Sequence, residues 1–258
     1  MPKPMVPILM YHELSETPVQ YKYTISIEKF REQLLAIKES GKQGISINDF
    51  VSGKNNQSVV ITFDDGHATD SSLALPLLKE YGFNATFFIS TENIGTSNKW
   101  LTWDAIKLLL EEGMDIQVHG HTHRFLDTCT SEELTEELSI PVKLFRNTIG
   151  HKITHLSLPG GRFNKKTLEF AKNIGYLTTS TSIPGLNHID ANNKFKLLKR
   201  NTMHQGIDIS EFQKIINNDY FYLFTANLKY LLKKYVKTLL GDNLYQKIWL
   251  KVMNYHDQ

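Results

Sequence analysis

Short apolar runs rich in β-branched and aromatic residues recur near 6–11, 58–63, 84–90, 114–119, 154–158 and 176–181. Period-3.6 patterns near 27–40, 71–81, 102–112, 131–148 and 165–173 fill the intervals. Val59-Val60-Ile61-Thr62-Phe63 is apolar without alternation, which predicts a strand buried on both faces, and Gly66 lets the chain turn straight afterwards. Gly82, after Leu75-Pro76-Leu77-Leu78-Lys79-Glu80-Tyr81, suits a helix C-cap before the run that ends at Ile89. Strands alternating with helices predict an α/β fold with a parallel sheet, and 258 residues are enough for one large core.

Chemistry gathers where the strands end. Asp64 and Asp65 stand between Phe63 and Gly66, at the carboxyl edge where ligands collect in α/β folds. Asp-Asp-Gly also occurs as an ordinary turn with solvated carboxylates. A second strand, Ile116-Gln117-Val118, runs into His119-Gly120-His121-Thr122-His123. A carboxylate with two imidazoles leaves coordination positions open on a divalent ion, the signature of a catalytic rather than a structural metal site. A third apolar run, Pro7-Ile8-Leu9-Met10, ends in Tyr11-His12, where the alternative to a functional His12 is a surface histidine after a first strand.

These residues carry a family resemblance. Thr62-Phe63-Asp64-Asp65-Gly66, His119 to His123 with Leu126, and Leu158-Pro159-Gly160-Gly161-Arg162-Phe163-Asn164 resemble the motifs of polysaccharide deacetylases with a NodB-type domain, carbohydrate esterase family 4. The resemblance covers about residues 5–215 and implies a distorted, incomplete (β/α) barrel. It implies Asp64 as general base, with Asp65, His119 and His123 holding a divalent ion, Zn2+ being expected and Co2+ or Ni2+ the alternatives. His121 is then a supporting or groove residue. Pro159, Gly160, Gly161 and Arg162 become a wall of the substrate groove, and a backbone N–H near Gly66 or Tyr11 the oxyanion donor. Much of the family has an arginine two residues before the proline, to orient the base; here that position is Ser157, which leaves Arg162 or Arg200 to reach Asp64. The front position of the Tyr11-His12 strand resembles the circularly permuted branch of poly-N-acetylglucosamine deacetylases, and makes His12 the general acid, with His204 as the fallback. The expected reaction is hydrolysis of an N-acetyl group on an amino sugar of a polysaccharide, oligosaccharide or glycolipid. Two alternatives stay open: a deformylase or other amidohydrolase on the same scaffold, and a silent carbohydrate-binding module.

Composition narrows the rest. A formal net charge of +2 is too slight to argue for nucleic acid, and the single cysteine, Cys129, excludes an intrachain disulfide framework. The start of the chain lacks a basic segment followed by a long apolar one, and no stretch reaches transmembrane length, so a cytoplasmic location is expected. A lipid- or nucleotide-linked sugar at the inner membrane face would reconcile that location with an exported polymer. Residues 1–217 are read as the deacetylase domain and 218–258 as a basic amphipathic helical extension. Leu228, Leu231, Leu232, Tyr235 and Leu239 alternate there with Lys229, Lys233, Lys234 and Lys237. That helix either packs on the barrel or makes peripheral contact with an anionic membrane, and Trp249 suits both. Trp100 and Trp103 are candidates for stacking on sugar rings or for core packing.

Overall fold

A computed structural model describes residues 5–17, 21–54, 57–188 and 195–240. In chain order the elements are β1 (Met5–Tyr11), β2 (Glu13–Ser15), β3 (Thr24–Ser26), α1 (Ile27–Glu39), β4 (Gln43–Ile45), α2 (Ile47–Val51), β5 (Ser58–Phe63), α3 (Leu75–Tyr81), β6 (Thr86–Ile89) and α4 (Trp103–Glu111). There follow β7 (Asp115–Val118), α5 (Ser131–Ile149), β8 (His155–Ser157), α6 (Lys165–Ile174), β9 (Thr178–Ser180), β10 (Leu186–His188), β11 (Lys196–Leu198), β12 (Asn201–Thr202), α7 (Ile209–Ile216) and α8 (Tyr220–Leu240).

Strands β1, β5, β6, β7, β8, β9 and β11 lie side by side in that order, all parallel. Past β11 the chain crosses to β12, which pairs with β1 at the far end of the row. Residues 196–202 therefore touch both ends of the sheet and draw it into a nearly closed barrel. β10 runs antiparallel on the outer edge of β1, and β4 pairs with the amino half of β5.

Period-two alternation sorts the strand residues into two cores. Leu9, Tyr11, Ile61, Phe63, Phe87 and Ile89 join the cluster that packs against the helices, with Phe63 stacked between Tyr11 (ring centroids 5.3 Å apart) and Phe87 (5.0 Å). Val6, Ile8, Val60, Phe88 and Leu198 form the second cluster, with Ile45 of β4 and Ile47 and Phe50 of α2. The helices start and stop as their caps dictate. Thr130 and Glu133 form a capping box on α5, Asn164 caps α6, and Gly82 ends α3 at φ 68°.

The predicted strands and long helices all form. One departure is the stretch 71–81, which opens as a π-helical turn, Asp70–Ala74, before α3. β2, β3, β4, β10, β11, β12 and α2 are too short to show a period in sequence. α8 begins close to the change of composition at 218. It lies on the barrel through buried Leu223, an Asn227 side chain donating to the Pro184 carbonyl (2.9 Å), and Lys234 over the Phe163 ring (5.9 Å). Among the described residues, no helix is long and apolar enough to cross a membrane. Trp249 lies outside the described residues.

Candidate metal centre and catalytic site

The candidate residues stand one step past the strands, at the carboxyl rim: His12 after β1, Asp64 after β5, His119 after β7, with Ser157 the last residue of β8. Ladder bonds run on past the strand ends and fix them, Asp64 N–H donating to the Tyr11 carbonyl and His119 N–H to the Ile89 carbonyl, both at 2.9 Å. Beyond Asp64 the chain reverses through two left-handed residues, Asp65 (φ 81°) and Gly66 (φ 83°). A Cβ at Gly66 would sit 2.8 Å from Ile89 Cγ2, so the turn needs glycine for space as well as for angle. Asp65 tolerates the left-handed region as Asp and Asn do, and its carboxylate swings away from that of Asp64.

That swing aims Asp65 at two imidazoles. Asp65 Oδ1 is 3.4 Å from His119 Nε2 and 3.2 Å from His123 Nε2, and one ligand atom from each residue lies within 4.8 Å of the others. The ring of His119 is buried and bonded through Nδ1 to the Ser157 carbonyl at 3.0 Å. A carbonyl accepts only, so the proton sits on Nδ1 and the Nε2 lone pair is turned to the cluster. Burial lowers the His119 pKa and keeps the ring neutral, although Asp64 and Asp65 pull the other way. His123 takes a left-handed φ of 61° after a loop pinned from below by Glu137. That buried carboxylate on α5 accepts the backbone N–H of His121 (2.9 Å) and of Thr122 (3.0 Å). The His123 pKa is raised by its contact with Asp65. Asp65 Oδ1 is buried with no hydrogen-bond partner of good geometry. An orphaned carboxylate oxygen facing two imidazole nitrogens is the donor set of a divalent ion such as Zn2+, and the residues fit one.

Asp64 is held quite differently. Arg200, fully buried, grips it with Nη1 to Oδ1 and Nη2 to Oδ2, both 2.7 Å, and the Ser157 hydroxyl donates to Oδ2 at 3.0 Å. The guanidinium also donates to Ser157 Oγ (2.7 Å), Thr62 Oγ1 (3.2 Å) and the Thr181 carbonyl (3.0 Å). Burial alone would raise the Asp64 pKa, but Arg200, with help from His119, holds it below the usual carboxylate range. Arg162 goes elsewhere. It bonds Asp127 at 3.0 Å and lies over the Phe125 ring, 4.7 Å from its centroid, so of the two arginines left open by the sequence it is Arg200 that reaches Asp64.

His12 stands within electrostatic reach of Asp64 and Asp65, its ring 5.2 Å from that of Tyr23 and its Nδ1 buried without a partner. His204 instead lines a separate cavity beside Lys22 and Lys233, where burial and those lysines push its pKa down to about 4. Tyr11 does not bring its side chain to the groove as a substrate contact. Its ring is buried between Phe30 and Phe63, and its hydroxyl donates to Gln33 Oε1 at 2.8 Å. The Pro159–Gly161 turn takes φ 61° at Gly160 and 65° at Gly161. A Cβ at Gly160 would sit 2.7 Å from the Phe125 ring, so the bend presses against that aromatic wall. His121 bonds Thr91 Oγ1 at 2.8 Å and stays out of the Asp65 cluster. Trp103 packs on Phe145 in the core, whereas Trp100 covers His67, ring centroids 4.8 Å apart.

Three contributors escape a reading of the sequence: His67, Glu137 and Phe125. His67 follows the paired aspartates directly, and its Nε2 lies 3.5 Å from Asp65 Oδ2 while Nδ1 lies 3.7 Å from Glu13 Oε1. With His123 it keeps the Asp65 pKa low despite burial. Its place one residue after Gly66 was the available signal.

A nearly closed β/α barrel whose rim carries a clamped carboxylate beside an Asp-His-His cluster defines a class of barrel hydrolases. Residues 52–179 match the family described as polysaccharide deacetylase, and the chain belongs to that family. The Bacillus subtilis (strain 168) protein YxkH is 31% identical over 186 residues, 70% of this chain and 65% of YxkH. The chain thus spans less than two thirds of YxkH, and smaller shares of further curated relatives. Two solved structures share the fold. The Streptococcus pyogenes deacetylase PplD in complex with acetate superposes with a TM-score of 0.73 at 23% identity, covering 86% of this chain and 99% of that one. The Bacillus cereus polysaccharide deacetylase BC0361 gives 0.75 at 22%, covering 83% and 69%.

Proposed function

We propose that the chain hydrolyses the N-acetyl group of an amino sugar in a polysaccharide, oligosaccharide or glycolipid, with a divalent ion held by Asp65, His119 and His123. The observation that carries this reading is the pairing of an orphaned Asp65 Oδ1, facing two imidazole nitrogens, with an adjacent carboxylate gripped by a buried arginine. Asp65, His119 and His123 would hold the ion, which would supply Lewis acidity to acidify an attacking water and polarise the acyl carbonyl. Asp64 takes the proton from that water. Arg200 keeps Asp64 ionised and aimed, and Ser157 fixes the carboxylate plane. His12, on the side of the rim given by β1, protonates the leaving nitrogen while its ring carries the proton, a form that burial disfavours and the two aspartates favour. The Pro159–Gly161 turn, Arg162 and Phe125 line the groove for the sugar. The position of β1 beside β5, with His12 just past its end, supports likeness to the permuted deacetylase branch.

The deciding experiment is elemental analysis of the purified protein together with acetate release from an N-acetylglucosamine oligomer, before and after chelation. One equivalent of divalent ion, and acetate release that chelation stops and Zn2+ restores, is the expected result. Acetate release unchanged by complete ion removal would refute the reading, and formate release from formylated sugars without acetate release would move it to the deformylase alternative.

A further inference from the structure

α8 is held to the barrel along one side only. Leu223 is buried, Asn227 donates to the Pro184 carbonyl at 2.9 Å, and Lys234 lies over the Phe163 ring. On a helix that turns about 100° per residue these three positions share one side. The opposite side faces solvent. Tyr220 and Val236 stand at its edges, with Phe221, Phe224, Leu228 and Leu232 between them, and all six are exposed, Tyr220 and Phe221 at 77%. The arc they span is about 160° wide. No charged residue falls inside it. An ordinary surface helix shows the reverse arrangement, apolar side inward and polar side outward. A contiguous exposed apolar patch rimmed by polar residues marks an interaction surface.

The charges on α8 say what this surface fits. Residues 220–240 contain no aspartate or glutamate, and every charged residue among them is a lysine. Lys229 and Lys234 are exposed and flank the apolar arc on its two sides. A second copy docked through the same face would bring lysine against lysine with no acid in either helix to pair them, and like charges across a seam repel. An anionic lipid surface meets both halves of the pattern. Aromatic and leucine side chains enter the boundary between headgroups and acyl chains, and the flanking lysines lie at the level of the phosphates.

We infer that α8 is a docking helix which lays its outward face on an anionic phospholipid surface. Its contacts with the barrel are to Phe163 and Pro184, in the loops that follow β8 and β9, so the lipid surface is held beside the carboxyl rim that carries the candidate site. The inference stands apart from the deacetylase reading, because binding to vesicles is read without turnover.

The test is flotation of the full chain with vesicles of phosphatidylcholine alone and of phosphatidylcholine mixed with phosphatidylglycerol, at low and high salt, with light scattering to fix the oligomeric state. Expected is binding to the mixed vesicles that weakens as salt screens the lysines, and much weaker binding to phosphatidylcholine. Phe221→Ser/Phe224→Ser/Leu228→Ser should lower binding to the mixed vesicles by at least about tenfold. Lys229→Gln should lower it by about fivefold, the worth of one lysine near an anionic surface, and leave binding to phosphatidylcholine unchanged. Leu177→Ser, at an exposed leucine outside α8, should change neither. Circular dichroism of each variant should match wild type, because the replaced side chains are exposed; if the triple variant does not fold, Lys229→Gln and the salt dependence decide. Failure of the full chain to bind the mixed vesicles, or binding that survives the triple substitution or ignores both Lys229→Gln and salt, would overturn the assignment. A dimer that the triple substitution splits, without vesicle binding, would give the face to a second copy. A monomer that ignores vesicles would leave residues 241–258 to cover it.

Discussion

Asp64 and Asp65 are neighbours in the chain and live in opposite surroundings. Both oxygens of Asp64 are satisfied, by two guanidinium nitrogens and a hydroxyl, in a spot sealed from solvent. Asp65 keeps one oxygen orphaned and faces His123, whose side chain is 43% exposed. The contrast suits the two roles proposed for them. A base has to hold its charge and direction through every turnover, so its partners are fixed and buried, whereas a ligand set has to stay available to something that arrives from outside. The two carboxylates can differ because the left-handed turn at Asp65 and Gly66 sends them into separate environments.

That contrast can be broken from either side. The largest effect is expected at the open half: His123→Ala should remove most of the bound ion and the activity with it, read by elemental analysis and acetate release, while His121→Ala leaves ion content nearly intact. Full occupancy in His123→Ala would take that residue out of the ligand set. At the closed half, Asp64→Asn should keep the ion yet lose turnover by roughly two or more orders of magnitude, the range of a general base. Loss of the ion in Asp64→Asn and its retention in Asp65→Asn would exchange the two roles.

A smaller effect separates His12 from both halves. His12→Ala should keep the ion, lower turnover by up to about a hundredfold, and flatten the alkaline limb of the pH profile, since a general acid works only while protonated. Burial pushes the His12 pKa down, although the two aspartates pull it back, so the wild-type limb should begin below the ordinary imidazole value of about 6.5. An unchanged limb in the variant would point to another acid.

Arg200→Met tests stability rather than chemistry. It leaves Asp64 as an uncompensated buried charge, and denaturant unfolding should show a loss of about 3–5 kcal/mol at neutral pH. The sign with pH is a second check. The folded-state pKa of Asp64 lies below its unfolded value of about 3.9, so its contribution is present above that value and is lost as pH falls through the folded pKa. In Arg200→Met the largest influence opposing burial is lost and the Asp64 pKa rises. The variant should therefore gain stability relative to wild type as the pH is lowered.

What could be read from the sequence follows the same division. Asp64, Asp65, His119 and His123 each stand within a few residues of an apolar run and a turn, so a local pattern announces both the strand and the chemistry at its end. Arg200 has no such local context. It follows β11, three residues long, and meets its partner through the pairing of the whole sheet, which no window of sequence contains. Ser157 looked like a missing arginine; in the fold it is the small residue whose hydroxyl joins Arg200 to Asp64, while Arg162 has its own partner in Asp127. His67 and Glu137 went unread because a histidine in a turn and a glutamate on a helix are ordinary until the packing shows what they face. At Tyr11 the expectation concerns the backbone N–H; the ring itself goes to the core, since adjacent residues on a strand point to opposite faces.

Arg200 lies in the short crossing between β11 and β12, at the seam where the barrel closes on β1. Asp64 precedes its partner by 136 residues, so on a growing chain it leaves the ribosome long before its counter-charge exists. Through most of synthesis the rim must stay open and wet around that carboxylate, because sealing it alone is too unfavourable. Closing the seam and clamping Asp64 become one event. A chain that stops short of residue 200, or misplaces its last strands, then leaves Asp64 without its counter-charge.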